Sequence, residues 1–142
     1  MKRTLTAITA LIFAVVIFAH PDADKIKGVW TNDQKNIRIE FFKVPSGYAA
    51  KIVWFAKPND EHGNPRLDKA NPDPDLRNKP LVGTVIMYDL EFDGKNYVSG
   101  KFYGPKRGVI ADCSVKMISP DKIEITGKKG FFNDTKTWTR YK

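Results

Sequence analysis

Hairpin-length turns punctuate nearly all of the chain beyond residue 25, and they confine it to antiparallel β architecture. Pro45-Ser46-Gly47, Asp93-Gly94, Gly104-Pro105-Lys106-Arg107-Gly108, Ser119-Pro120-Asp121 and Lys129-Gly130 each divide two runs of strand character. Glycine supplies positive φ at such corners, and proline presets its own. Between the corners the residues alternate. Ile37, Ile39 and Phe41 share one face of residues 34–42, with Arg38 and Glu40 on the other, which is the period of a half-buried strand. Residues 48–55 (YAAKIVWF) are apolar on both faces except at Lys51, so each side needs a cover. Residues 82–92, 97–103, 109–118, 122–128 and 131–141 continue the series, and residues 26–30 add a short first strand. No run has helical periodicity. About eight strands joined mostly by hairpins predict an all-β, antiparallel up-and-down barrel, because closure removes exposed edges. A barrel of that size holds packed side chains or one small ligand. A two-sheet sandwich is the rival, but its crossovers need longer connections than most of these.

One connection departs from the rule. Residues 57–83 carry Pro58, Pro65, Pro72, Pro74 and Pro80 and interleave acids with bases. The predicted loop, residues 57–80 between strands 3 and 4, is long enough to be either functional or disordered. Asn71-Pro72 and Asp73-Pro74 are turn-initiating pairs, and Asp68 and Arg77 are placed to form a charge-assisted pair. Three readings follow. The loop braces itself, or it rims the barrel mouth so that Arg77 or Lys79 meets an acidic ligand group, or Asp60, Glu61, His62 and Asp68 hold a metal. The third is weakest. The calcium-loop spacing is absent, and zinc asks for more His or Cys, so neither metal nor cofactor is expected. Asp68 with Asp73 or Asp75 is only a loose carboxylate pair, and no nucleophile motif is present, so no catalytic residue is assigned. Leu76, Leu81 or the prolines are expected to pack back onto the two-sided strand at residues 48–55.

The amino terminus reads as an export signal. Met1-Lys2-Arg3 is basic, residues 5–19 are apolar apart from Thr6 and Thr9, and Ile17-Phe18-Ala19 offers a small-residue cleavage point before His20. The apolar run is shorter than the ~20 residues that span a bilayer. Residues 1–19 are therefore expected to be a cleaved signal peptide, residues 20–142 a single domain, and the mature protein periplasmic or secreted without a transmembrane span. The lone cysteine, Cys113, cannot form an internal disulfide and reads as a small buried hydrophobe between Ala111 and Val115. The net charge of +8 falls to +6 without Lys2 and Arg3. The cations are dispersed, and no nucleic-acid footprint stands out, although weak attraction to an anionic envelope surface fits.

The two chain ends support closure. Gly28-Val29-Trp30 opens the first strand and Trp138-Thr139-Arg140 closes the last. This resembles the Gly-x-Trp signature of lipocalins and other calycins, in which a last-strand cation packs over the first-strand tryptophan. The likeness assigns Gly28, Trp30, Trp138 and Arg140 to barrel closure. The run Gly63-x-Pro65-x-x-Asp68-x-x-Asn71-Pro72-Asp73-x-x-Leu76-Arg77-x-Lys79-Pro80-Leu81-x-Gly83 resembles the central motif of the bacterial family called domain of unknown function 2147. Lys51-Ile52-Val53-Trp54 and Phe102-Tyr103-x-Pro105 match it too. The resemblance implies an exported, lipocalin-like protein and carries no activity with it. Lys79 stands where relatives usually have Arg, the residue 104–108 turn is more basic than usual, and the Lys128-Lys129-Gly130 corner lacks the common Arg. An anion grip by those arginines does not carry over to this chain.

The leading expectation is a binding module. It would hold a small apolar or amphipathic ligand among Trp54, Tyr88 and Tyr103, with Asp68, Arg77 and Lys79 at the mouth. The alternatives are an envelope enzyme using the loop carboxylates with Arg77, and an envelope protein-interaction module. Oligomeric state is left open.

Overall fold

A computed structural model of the chain describes residues 22–142; the expected signal segment, residues 1–19, lies outside the described residues. Eight strands follow one another: β1 (Gly28–Asn32), β2 (Ile37–Val44), β3 (Gly47–Phe55), β4 (Val85–Phe92), β5 (Tyr97–Gly104), β6 (Val109–Ser119), β7 (Lys122–Lys129) and β8 (Phe132–Arg140). Each pairs antiparallel with its neighbour in sequence, and β1 also pairs with β8, so the sheet closes into a barrel. Short connections bring consecutive strands side by side, and closure leaves no unpaired edge.

The strand directions sort the connections into two ends. The β1–β2, β3–β4, β5–β6 and β7–β8 connections ring the open mouth. The other turns, the chain terminus at Lys142 and one 3-10 turn (Ala23–Ile26) ahead of β1 sit at the closed end.

The closed half is packed solid. Ile26, Trp30, Phe41, Leu90, Tyr97 and Val115 are essentially inaccessible to water there. The 3-10 turn is the stopper, and polar groups of the barrel hold it in place. Trp30 Nε1 donates to the Ile26 carbonyl at 2.8 Å, Tyr97 Oη to the Ala23 carbonyl at 2.5 Å, and Tyr48 Oη to Asp24 Oδ1 at 2.5 Å. The Tyr48 bond also holds the Asp24 carboxyl below its usual range. Arg140 completes the end. Its guanidinium lies 4.2 Å from the Trp30 ring centroid and donates to the carbonyls of Lys25 (2.7 Å), Lys27 (2.9 Å) and Pro120 (3.0 Å). One planar side chain on the last strand thus ties together the stopper, the first strand and the β6–β7 turn.

β4 and β5 are kinked together. Asp89 and Ser99 take positive φ, 57° and 60°, and the β5–β6 register shifts between Tyr97 and Gly100. Gly100 is required at the kink by close approach: a Cβ there would lie 2.5 Å from Leu90 Cδ2 and 3.0 Å from Cys113 Sγ. Because Leu90 is fully buried, it has no room to move aside.

Arg140→Lys is predicted to cost about 1–3 kcal/mol, because a flexible ammonium cannot stack on Trp30 and serve three carbonyls at once. Thermal denaturation should show a melting temperature lowered by several degrees. An unchanged value would refute the closing role of the guanidinium.

Candidate functional site

Above the packed half, the barrel opens into two adjoining chambers of about 1030 and 910 Å³. Ile86, Phe102 and Trp138 border both. The first chamber runs over Ile37, Ile52 and Phe55 toward the underside of the long loop, where Leu81 also faces it. The second is walled by Met87, Ala111, Cys113 and Ile125 and reaches the β7–β8 hairpin. Cys113 is buried, and that burial pushes its thiol up to about 12. At neutral pH it is an uncharged wall atom, not a nucleophile.

Charge is arranged in the opposite sense to the apolar body. Lys57, Arg66, Lys69 and Lys106 rim the first chamber beside Asp60 and Glu61. Arg107, Lys128, Lys129 and Lys136 rim the second beside Asp134. The chambers therefore combine an apolar interior with a rim in which cations outnumber acids, an arrangement suited to a molecule with a greasy body and an acidic end.

The residues singled out from sequence stand elsewhere. Asp68, Lys79, Tyr88 and Tyr103 line a separate cleft of about 700 Å³, between the long loop and the outer barrel wall. Asp68 is 3% exposed. Its Oδ1 accepts from Tyr103 Oη at 2.5 Å and its Oδ2 from Asn71 Nδ2 at 2.8 Å, while its backbone N–H donates to the Lys79 carbonyl at 2.9 Å. Burial first, and then this bond to Asp68, push the Tyr103 hydroxyl up to about 12. The carboxylate is a clamp that fixes the loop to β5.

The loop has internal structure of its own. Bridges join Asn59 to Pro65 and Leu67 to Pro80. Asp73 caps a 3-10 turn, Pro74–Leu76, by accepting from the Asp75 N–H at 3.0 Å. Gly108 (φ +65°) lets the loop cross the β5–β6 turn, since a Cβ there would fall 1.8 Å from the Ala70 carbonyl oxygen.

Several expectations are corrected by this geometry. The Asp68–Arg77 pair does not form; Arg77 Nε donates to the Asn71 carbonyl at 2.7 Å instead. The loop covers the outer wall at Tyr88 and Tyr103, not the outer face of β3, although Leu81 does pack on the core. Trp54 points away from the barrel: Arg38 is sandwiched between Trp54 and Tyr141, 3.9 and 3.7 Å from the ring centroids. Trp138, expected at the closed end with Gly28, Trp30 and Arg140, faces the chambers.

The physical reason is strand parity. The β2–β3 register slips between Arg38 and Ile39, so Arg38 faces Trp54 while Ile39 faces Ile52. That shift sends Phe55 inward and Trp54 outward. The slip between Tyr97 and Gly100 does the same for Phe102 and Tyr103. Sequence reasoning missed Phe55, Ile86 and Phe102. The usable signal was Gly100 inside a strand pattern, a mark of a bulge.

Tyr103→Phe is predicted to destabilise the fold by about 1–3 kcal/mol, since it leaves the buried Asp68 Oδ1 without its donor. Chemical denaturation and proteolysis within residues 57–83 would report the loss. If neither changes, Asp68 is not a clamp. Alkaline pH offers a second check. The Tyr103 and Tyr97 hydroxyls are both pushed up to about 12 from 10.0. Their contribution to stability is complete below pH 10 and is lost as pH rises from there through about 12. Absorbance titration of tyrosinate should show Tyr103→Phe removing one late-ionising group; a titration identical to that of the parent would contradict this.

No curated protein matches the chain. Among solved structures it is similar to protein HP1028 from the human pathogen Helicobacter pylori, which belongs to the lipocalin family. The two share 27% identity with a TM-score of 0.71, over 82% of this chain and 83% of the other. Residues 28–140, from the first strand to the closing arginine, match a bacterial family described as "uncharacterized protein conserved in bacteria". The chain belongs to that family, DUF2147, and carries its lipocalin-like barrel.

Proposed function

We propose that the protein is an exported binding protein that holds one small amphipathic molecule inside the barrel. The observation that carries this reading is the pair of open apolar chambers around Ile86, Phe102 and Trp138. A barrel whose side chains met across the axis would offer no such space, whereas these volumes are of the order that encloses a small ligand. The basic rim supports an acidic group at the ligand's exposed end. The solved lipocalin-family relative supports the same class of use, and the basic, then apolar, amino-terminal segment supports export. Asp68 and Tyr103 enter as supports of the loop that roofs the first chamber, not as contacts to the ligand.

Native mass spectrometry of protein purified from its producing bacterium should reveal a co-purifying small molecule. A fluorescent fatty-acid analogue should bind with one saturable site. Ala111→Trp, which fills the second chamber, should weaken that binding by at least about tenfold and leave the melting temperature nearly unchanged. A bare chain mass together with no saturable binding would sink the proposal.

A further inference from the structure

The mouth of the barrel carries the two barest apolar side chains among the described residues. Of the eight large apolar side chains exposed among the described residues, Val109, Phe131 and Phe132 lie at the mouth, Val82, Val85 and Ile110 line the outer cleft beside the long loop, and Ile118 and Tyr141 lie toward the closed end. Phe131 and Phe132 are the extremes, 108% and 84% exposed. They do not sit on a slack loop. β7 and β8 pair without interruption up to Lys129 opposite Phe132, so only Gly130 and Phe131 form the turn. Two aromatic rings are thus exposed at the tip of a hairpin whose strand pairing continues up to the turn.

Unpaired cations surround them. Lys128 and Lys129 precede the turn, and Lys106 and Arg107 stand on the β5–β6 connection at the same mouth. Among the described residues none of the four has a carboxylate within ion-pairing distance. At the closed end, by contrast, Asp22, Asp24 and Asp121 pair with Lys25, Lys43, Arg140 and Lys142. An exposed aromatic tip ringed by unpaired lysine and arginine is complementary to one surface in particular. Aromatic rings settle at the boundary between headgroups and acyl chains, and the cations meet anionic headgroups.

We propose that the mouth end docks on anionic lipid bilayers, with Phe131 and Phe132 inserting at the headgroup level and Lys128, Lys129, Lys106 and Arg107 contacting anionic headgroups. Docking there places the chamber openings against the membrane. The inference does not depend on the barrel holding a ligand, because docking is measured on plain vesicles.

The test is flotation of the full chain with vesicles of phosphatidylcholine containing phosphatidylglycerol, compared with phosphatidylcholine alone. Every variant has the same residues 1–21, so differences between variants report the hairpin. The parent should float with the anionic vesicles, less so as salt is raised. Lys128→Gln with Lys129→Gln should weaken partitioning about 25-fold, at roughly fivefold per cation. Phe131→Ser with Phe132→Ser should abolish most of what remains. A site-specific readout guards against misfolded variants: Phe131→Cys carrying an environment-sensitive fluorophore, with the buried Cys113 left unlabelled, should shift to the blue on anionic vesicles only. Equal partitioning of parent and variants, or no spectral shift, would overturn the proposal. So would sedimentation showing that the phenylalanines instead pair two copies of the chain.

Discussion

The stack of Arg140 on Trp30 is the contact on which the rest of the barrel depends. An up-and-down sheet has two free edges until its first and last strands meet, and here that seam is short, with only Trp30, Thr31 and Asn32 of β1 facing β8. A seam of that length gains from reinforcement by side chains. Arg140 provides it by stacking on the first strand and donating to carbonyls on the stopper and on the neighbouring turn. Its planar fork serves several acceptors at fixed angles, which an ammonium does not. With that end sealed and packed, the two interior chambers lie toward the mouth.

The long loop solves a related problem on the outside. Tyr88 and Tyr103 face outward from β4 and β5 and would otherwise be bare aromatic surface. The loop covers them and is held by one buried carboxylate whose two oxygens are each satisfied. A buried charge is tolerated when its hydrogen bonds are complete. The acids and bases that made this segment look like a site in the sequence are mostly turn-formers and caps, with Asp60, Asp68 and Asp73 all accepting from within the loop. The apolar body stands instead on the barrel strands, and the basic rim is divided between the loop, with Lys57, Arg66 and Lys69, and the hairpins around the mouth, with Lys106, Arg107, Lys128 and Lys129. Ligand capture and membrane docking, as proposed, would therefore share one end of the molecule.

The architecture was legible because turns and alternation are local. Pro-Ser-Gly and Asp-Gly corners, and apolar runs of strand length between them, are properties of neighbouring residues, and short connections leave a chain few topologies. The site was less legible because facing depends on parity, and a single bulge reverses it. The sequence points to Trp54 and Tyr103 as ligand-lining residues, whereas their neighbours Phe55 and Phe102 occupy the inside. In residues 48–55, where both faces are apolar, alternation carries no information about which face is in. Trp138 and Arg140 share a parity on β8, yet Trp138 reaches the chambers while Arg140 closes the end, because two residues along a tilted strand separate mouth from floor.

By itself the sequence determined the strand count, the antiparallel order, the closing pair Trp30 and Arg140, and the family to which residues 28–140 belong. These follow from turn chemistry, periodicity and residue identity, all of which are written along the chain. Only the tertiary structure decided which aromatics face the cavity, where the loop lies, and that Asp68 clamps the loop to the barrel wall. It also decided that the bare phenylalanines and unpaired cations share the mouth. Those outcomes depend on register slips and on closure, which set distances between residues far apart in sequence.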